Sequence, residues 1–537
     1  MPAPEPNANP EAVLRGAMFL GAERVTGGGA EVRSLNPGTG EPLDPVYRYG
    51  GAADVDRACR LAEQAFDTYR ATTPEARARF LECVADKLAA LTDTVVERAH
   101  QESGLPVARL TGEVGRTTGQ LRLFASVLRE GSWQGARIDP ALPDRAPQPR
   151  PDIRQQRIPL GPVAVFGASN FPLAFSVLGG DTASALAAGC PVVVKAHDAH
   201  LGTSELAASA LRAAVEECGL PEGVFSLVIG DGPTLGARLV ADPRIRAVGF
   251  TGSRAAGLAL MRTAAERPAP VPVYAEMSSV NPVVLLPGAL RERASDLAAG
   301  FVGSLTQGAG QFCTNPGLIV AVEGPELETF LTAAAEAVQS NQGATMLTPG
   351  IAAAYRTETE AVAGHAAVVT LARGPVPEGA SPCRAALMAV GADDFTTDPA
   401  LQREMFGAAG LVVHCRDLEQ VTDVLRCLEG QLTATVHTAD SDLDAARELL
   451  PVLERGAGRV LFNGWPTGVE VGHAMVHGGP FPATSDGRST SVGSLAIERY
   501  LRPVAYQNLP EQLLPRPLAD GNPEGLWRRV DGDLGRH

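Results

Sequence analysis

The residue that most directly suggests chemistry is a cysteine in a glycine-rich stretch. Cys313 stands in GAGQFCTNPG, residues 308–317, among residues that make tight turns and bring backbone N–H groups close to a bound group. A cysteine used only for packing usually has apolar neighbours in a strand or helix. The setting therefore makes Cys313 a candidate nucleophile.

Two more side chains could complete a nucleophilic site. Asn170 follows the apolar run GPVAVFG, and its amide could donate to an oxyanion; a turn asparagine bonded to its own backbone is the alternative. Glu276 follows VPVYA. A carboxylate between apolar residues is expected to have a raised pKa, which suits a general base near neutral pH. The alternative is a surface glutamate on a turn.

A second group of residues suits a nucleotide. Lys195 ends the run PVVVK and could donate to ribose hydroxyls, although a solvated strand end is the simpler interpretation. In FTGSRAAG (250–257), Gly252, Ser253 and Gly257 lie where a strand meets a helix, and backbone N–H groups there suit a pyrophosphate. This pattern is not the G-x-G-x-x-G fingerprint, so alone it is weak.

The elements that must position these residues are apolar strands alternating with helices. Such alternation predicts an α/β fold with a doubly wound parallel sheet and right-handed crossovers. Asn170 and Lys195 then lie at carboxyl ends of strands, where ligands bind in open α/β sheets. A second α/β unit begins near Asn281 and carries the cysteine loop.

Composition excludes several classes of protein. The net charge of −15 and the absence of a basic patch argue against a nucleic-acid surface. The eight cysteines show no C-x-x-C spacing, which favours reduced thiols in a cytoplasm. Residues 158–180 carry no charge over 23 residues, but prolines and glycines interrupt them, so a buried strand and turn are expected rather than a membrane span.

The order of these motifs resembles the aldehyde dehydrogenase superfamily over roughly residues 20 to 510. An asparagine follows one strand, a lysine the next and Gly-Ser a later one, and a glutamate lies 37 residues before the cysteine. REMFGAAG (403–410) looks like the family's Glu-x-Phe-Gly loop. The resemblance implies that Cys313 attacks an aldehyde, that Asn170 and the Cys313 N–H hold the oxyanion, and that Glu276 activates water. Either the site lowers the pKa of the thiol or a base deprotonates it.

The resemblance also implies the remaining site residues and the cofactor, which is NAD or NADP. Glu404 and Phe406 are expected beside the nicotinamide ribose and ring, and Phe171, Phe312 and His477 on the substrate side. Asp198 near the adenosine ribose, and Pro233 where NADP-preferring relatives often have arginine, favour NAD.

Within the superfamily, GASNFP, GQFCTNPG and HGGPFPAT look like the branch that oxidises α-ketoglutaric semialdehyde, with long-chain aldehydes as the alternative substrate. Ser278-Ser279 replace the usual Gly-Gly after the base, which that branch tolerates. Arg154 or Arg157 could meet a substrate carboxylate.

Other functions stay open at this point. No metal is expected, because neither His197 with His200 nor His473 with His477 has an evident third ligand. A non-catalytic homologue that binds a dinucleotide would most simply have lost the nucleophile or base. A cysteine hydrolase would need a histidine base for the thiol, and the motifs assign none.

The predicted organisation divides the chain into four parts. A cofactor domain covers 1–137 and 160–281, a catalytic domain 282–487, an oligomerisation arm 138–159 and 488–510, and a C-terminal tail 511–537. In this superfamily the arm joins subunits, so a homodimer or homotetramer is expected, since a bare edge strand would invite uncontrolled pairing.

Overall fold

The first sheet carries the predicted nucleotide residues. A computed structural model describes residues 13–536. This seven-stranded sheet has the order β11-β10-β7-β8-β9-β1-β2, parallel from β11 to β9 and antiparallel at β1 and β2. Its strands are β1 (Met18–Leu20), β2 (Glu23–Val25), β7 (Val163–Phe166), β8 (Val192–Lys195), β9 (Phe225–Val228), β10 (Ala247–Thr251) and β11 (Val273–Glu276).

Helices cover both faces of this sheet. Their apolar positions recur three and four residues apart, as in α1, where Val55, Ala58, Cys59 and Ala62 are buried. The helices are α1 (Ala52–Arg70), α2 (Pro74–Ala90), α3 (Thr92–Ser103), α4 (Val107–Glu130), α5 (Gly180–Ala188), α6 (Leu201–Glu217), α7 (Ala237–Ala241) and α8 (Arg254–Ala265).

The second unit repeats this architecture. Its seven-stranded sheet has the order β15-β17-β18-β13-β12-β19-β20, with only β15 antiparallel to its neighbour. The strands are β12 (Pro282–Leu285), β13 (Leu318–Val322), β15 (Val369–Arg373), β17 (Ala386–Gly391), β18 (Ala409–Cys415), β19 (Gln431–His437) and β20 (Ala457–Phe462). The helices are α9 (Pro287–Thr306), α10 (Pro325–Ser340), α11 (Pro349–Ala363), α12 (Ala392–Thr397), α13 (Leu418–Cys427) and α14 (Leu443–Gly456).

Each sheet has its own hydrophobic core, so the two units are structurally distinct. The predicted α/β class, with a doubly wound parallel sheet and a second α/β unit, is confirmed. Two small antiparallel pairs complete the strands of these units: β3 (Glu31–Val32) with β4 (Tyr47–Arg48), and β14 (Ala344–Thr345) with β16 (Pro382–Cys383).

The predicted arm is a five-stranded sheet of order β21-β6-β5-β22-β23. Its strands are β5 (Arg137–Asp139), β6 (Ile153–Pro159), β21 (Leu501–Gln507), β22 (Arg528–Val530) and β23 (Asp533–Gly535). The sequence predicts a separate tail over 511–537, whereas β22 pairs with β5 and extends the arm sheet. Strands of three residues show too little alternation of polar and apolar residues to be recognised in a sequence.

The uncharged segment 158–180 forms the end of β6, all of β7 and a turn. No helix within residues 13–536 is long and apolar enough to cross a membrane.

Candidate active site

The carboxyl edge of the first sheet brings the predicted polar residues together. Asn170 lies in the turn after β7, Lys195 is the last residue of β8, and Glu276 is the last residue of β11. Gly252 and Ser253 connect β10 to α8, and the Ser253 hydroxyl accepts from a backbone N–H of the first turn of that helix. Because neighbouring parallel strands end at one edge, these groups surround a single crevice.

The cysteine loop owes its shape to left-handed backbone. Gly308, Ala309 and Gly310 all have positive φ, at 56°, 59° and 68°. Gly310 also lies so close to the next loop that an added Cβ would be 2.2 Å from the carbonyl carbon of Gly407. The Asn315 side chain donates to the Gly407 carbonyl at 3.0 Å, so the loop that carries Cys313 is fixed against residues 403–410.

A buried polar network holds the other side of this loop. The Asn281 side chain donates to the carbonyls of Cys313 and Asn315, both at 2.9 Å. The Ser279 hydroxyl donates to the side-chain oxygens of Asn281 and Gln431. Ser279, one of the two serines that depart from the family pattern, therefore supports the loop by hydrogen bonding.

Three reactive groups meet behind the loop. His477 Nε2 lies 3.4 Å from Cys313 Sγ and 2.9 Å from Glu276 Oε1. The Ser491 hydroxyl donates to Glu276 Oε2 at 2.9 Å. Glu276 and His477 are each only 1% exposed, so this cluster is largely shielded from solvent. His477 is thus a neighbour of the nucleophile and the carboxylate rather than a residue at the substrate mouth.

The expected raised pKa of Glu276 is wrong. Burial is the largest single influence and raises it, but the charge and hydrogen bond of His477, together with the hydrogen bonds of Ser491 and Cys313, outweigh burial and bring the pKa of Glu276 down to about 2. Conversely, burial and then the Glu276 charge raise the pKa of the Cys313 thiol well above its usual value. The resting thiol is therefore protonated near neutral pH, and an adjacent base must take its proton when it reacts.

Two donors are available for an oxyanion beside Cys313. The Asn170 side-chain amide donates to the Gln311 carbonyl at 3.0 Å, which fixes the amide and leaves its second N–H. Among residues 13–536 the backbone N–H of Cys313 has no acceptor. Both groups therefore lie next to the sulfur with a free donor, as acyl-transfer chemistry requires.

A large cavity runs from this cluster to the nucleotide residues. Its volume is about 1160 Å³, above the usual ~300–1,000 Å³ range of small-molecule pockets. The three catalytic candidates Cys313, Glu276 and Asn170 line it. So do most of the predicted cofactor residues, namely Lys195, Asp198, Gly252, Ser253, Glu404 and Phe406. Gly257 does not; it is packed where an added Cβ would lie 2.8 Å from the Met277 sulfur.

The ribose end of the cavity contains a fixed carboxylate. Tyr49 donates its hydroxyl to Asp198 Oδ2 at 2.8 Å, and Lys195 Nζ donates to Oδ1 at 3.3 Å. The sequence offered no signal for Tyr49, which comes from the segment before α1. At the opposite end of the cavity, burial raises the pKa of Glu404 to about 8. A hydrogen bond from the Ser279 N–H lowers this pKa but does not outweigh burial. The donor set, cavity volume and helix N-terminus fit a nicotinamide dinucleotide.

A model of the aldehyde dehydrogenase family matches residues 25–502. The α-ketoglutaric semialdehyde dehydrogenase 2 of Azospirillum brasilense is 58% identical over 97% of this chain and 99% of that protein. The α-ketoglutaric semialdehyde dehydrogenase of Acinetobacter baylyi is 48% identical over 97% of this chain and 98% of that protein. This chain belongs to the aldehyde dehydrogenase family.

Solved structures of the family have the same fold as this aldehyde dehydrogenase. Aldehyde dehydrogenase C of Pseudomonas syringae, solved with NAD⁺ and octanal, superposes with a TM-score of 0.78 over 94% of this chain and 98% of that one. Its identity is 21%, so the likeness concerns the fold alone.

Next to the cysteine loop, aromatic rings contact two arginines. Phe171 packs edge-on against Phe312 at 5.4 Å and against Phe175 at 5.3 Å. The Arg109 guanidinium carbon lies 4.6 Å from the Phe312 ring centroid, and that of Arg116 lies 5.2 Å from the Phe175 centroid. The sequence patterns assign no function to either arginine or to Phe175.

The two arginines considered for a substrate carboxylate lie in the arm. Arg154 is on β6 and donates to Asp152 and to Asp520, and Arg157 donates to Glu498. Both are used in ion pairs that hold the arm together.

The histidines considered for a metal have other contacts. His197 and His200 stack with ring centroids 5.6 Å apart. His200 is buried and contacts the Ala168 carbonyl and the Ser204 hydroxyl, which explains its place in the core. Within residues 13–536, the one group of three candidate metal ligands is Glu276, Cys313 and His477, whose ligand atoms lie within 4.8 Å of one another. The hydrogen bonds inside this group account for its geometry, and the absence of a metal stays a prediction.

Proposed function

We propose that this enzyme oxidises α-ketoglutaric semialdehyde to 2-oxoglutarate with a nicotinamide dinucleotide. The observation that carries the aldehyde chemistry is the contact of His477 with both Cys313 and Glu276 at the end of the dinucleotide cavity. The names and the near full-length identity of the two α-ketoglutaric semialdehyde dehydrogenases support the substrate.

In the attack step the thiol gives its proton to the buried pair beside it. The Cys313 proton passes to the Glu276–His477 pair, in which His477 Nε2 donates to the Glu276 carboxylate at 2.9 Å, as the sulfur bonds to the aldehyde carbon. The carbonyl oxygen becomes an oxyanion and is held by the Asn170 amide and the Cys313 N–H. A nicotinamide held by the cavity beside Glu404 and Phe406 would supply the hydride acceptor, so that loss of hydride from the substrate carbon would leave a thioester to Cys313.

Hydrolysis of the thioester then needs a base for water. With its pKa lowered to about 2, Glu276 alone is a weak base, so we propose that Glu276 and His477 take the water proton as a pair. Before this step the pair releases the thiol's proton to solvent, so that it can take one from water. The hydroxide adds to the thioester carbon, the C–S bond breaks, and the sulfur regains the water proton from the pair.

We further propose NAD as the preferred cofactor. The Asp198 carboxylate, fixed by Tyr49 and Lys195, would accept from a ribose 2′-hydroxyl and repel a 2′-phosphate. Pro233, beside the cavity-lining Gly232, supplies no cation for such a phosphate.

The proposal is tested by following reduced-nicotinamide absorbance with purified enzyme, α-ketoglutaric semialdehyde or a long-chain aldehyde, and each dinucleotide. We expect the highest kcat/KM with the semialdehyde and NAD, and no turnover by Cys313→Ala. Turnover restricted to apolar aldehydes would contradict the substrate, and a kinetic preference for NADP would contradict the cofactor. Dinucleotide binding without turnover of any aldehyde would contradict catalysis altogether.

One observation favours a second substrate class. The rings of Phe171, Phe175 and Phe312 form an apolar wall beside the nucleophile, which suits the alkyl chain of a longer aldehyde. The same assay separates the two classes.

We also propose that the enzyme works as a homodimer or homotetramer in a cytoplasm. The arm sheet supports assembly, because β21 is an edge strand of seven residues with no neighbour on one side among residues 13–536. Light scattering of the purified protein measures the subunit number, and a monomer would contradict the assembly.

A further inference from the structure

Arg116 is a partly buried cation without a protein partner. It lies on α4, and its Nε and Nη2 are buried with no hydrogen-bond acceptor among residues 13–536. It forms no ion pair with any carboxylate of those residues. A guanidinium removed from water is costly unless a charged or polar partner compensates for the loss of hydration.

The surroundings of Arg116 keep it charged and directed towards the reactive cluster. Its guanidinium carbon lies 5.8 Å from the Phe171 ring centroid and 5.2 Å from that of Phe175. The Phe175 ring is in turn 6.2 Å from the ring of His477, which contacts the Cys313 sulfur. Cation–π contacts stabilise the charge without using any of the N–H donors.

The neighbouring arginines differ from Arg116 because each has a backbone acceptor, although Arg109 Nη1 and Arg459 Nε have none among residues 13–536. Arg109 donates from Nη2 to the Asn170 carbonyl at 2.8 Å, and Arg459 donates to the carbonyls of Gly468 and Pro466. The nearby Glu113 carboxylate accepts from two backbone N–H groups instead of from Arg116. Burial lowers the pKa of Arg116, while Cys313, once it is a thiolate, and the charges of Glu113 and Glu276 oppose this effect.

We propose that Arg116 binds the carboxylate at the far end of the substrate, so that this enzyme selects aldehydes whose other end is an anion. A planar guanidinium with free N–H groups matches a carboxylate with two parallel hydrogen bonds. The aldehyde carbon then reaches Cys313 while the substrate chain passes along the Phe171 and Phe175 rings. This inference rests on the proposed function and names the residue that recognises the acid group.

The test compares Arg116→Met with wild type on two aldehydes of equal chain length, α-ketoglutaric semialdehyde and pentanal. We expect kcat/KM for the semialdehyde to fall roughly 100-fold or more. A site that pairs with a polar group of the substrate strongly prefers substrates that carry this group, and the preference is lost with the pairing residue. The loss should be mainly in KM, and kcat/KM for pentanal should change by less than about 5-fold, which also shows that the variant is folded. Arg116→Lys keeps the positive charge but loses the two parallel N–H donors, so its kcat/KM for the semialdehyde should lie between those of wild type and Arg116→Met.

The matched control is Arg122→Met. Arg122 is on the same helix and has an exposed side chain that pairs with Asp86 at 2.7 Å, so both substrates should be unaffected. A second readout is inhibition of pentanal oxidation by added 2-oxoglutarate, which should weaken roughly 100-fold in Arg116→Met. This readout does not require turnover of the semialdehyde.

The outcomes separate the two proposals. Equal losses on both aldehydes, or no loss on the semialdehyde, would overturn the role of Arg116 and leave the proposed substrate standing. If wild type prefers pentanal but 2-oxoglutarate still inhibits through Arg116, the proposed substrate fails and the carboxylate site stands. A wild-type preference for neutral aldehydes together with no inhibition by 2-oxoglutarate would overturn both.

Discussion

Replacing Glu276 by glutamine should have opposite effects on two reactions of the cysteine. The substitution keeps the shape of the side chain but removes its negative charge, which lies within 4.8 Å of the Cys313 sulfur. Two like charges at this distance repel by about 3 kcal/mol at an effective dielectric constant of ~20, which corresponds to roughly a hundredfold in thiolate population. Rearrangement of His477 and Ser491 will offset part of this change, so we expect the thiolate population to rise at least tenfold.

The assay has two parts. Alkylation of the cofactor-free enzyme by iodoacetamide near neutral pH reports the thiolate, and it should be about 10-fold faster or more in Glu276→Gln. Turnover should stop after a burst of one reduced nicotinamide per active site, with steady-state turnover lower by about 10²–10⁴-fold, because the thioester has lost its hydrolytic base. Glu358→Gln, which removes a carboxylate from the same cavity, is the control. It should change neither the alkylation rate nor the steady-state turnover.

Slower alkylation in Glu276→Gln would refute the electrostatic reasoning, since it would mean that losing a proton acceptor outweighs removing the negative charge. Unchanged steady-state turnover without a burst would refute its part in hydrolysis and leave His477 as the base.

Three further predictions concern other parts of the site. His477→Gln should slow the burst itself by about 10²–10⁴-fold, because the thiol loses its proton acceptor; a burst at the wild-type rate in stopped flow would contradict this. Asp198→Ala should raise kcat/KM with NADP about tenfold or more relative to NAD, and an unchanged ratio would show that this carboxylate does not select the cofactor. Gly310→Ala should destabilise the protein by at least about 2 kcal/mol in thermal unfolding, since it combines a left-handed residue with a clash against Gly407. Gly303→Ala, where an added Cβ meets nothing within 4 Å, is its control and should be neutral or stabilising.

The sequence alone determined which residues stand at the ends of which strands. Runs such as GPVAVFG and PVVVK are apolar and bounded by turn residues, so they form buried strands, and right-handed crossovers bring their carboxyl ends to one edge. Asn170, Lys195 and Glu276 therefore meet around one crevice whatever the details of packing. The glycines before Cys313 likewise favour the left-handed turn at that position.

Only the tertiary structure decided what surrounds these groups. His477 is 201 residues from Glu276 along the chain, and the local pattern HGGPFPAT does not say that its ring will touch the carboxylate. With the hydrogen bonds of Ser491 and Cys313, that contact reverses the predicted direction of the Glu276 pKa, because the three partners together outweigh burial. Arg116 shows the same limit, since whether an arginine on an amphipathic helix has a partner depends on segments distant in sequence. Local residue order thus determines strand ends and turns, whereas the electrostatics of a buried site are sums over distances that exist only once the chain is folded.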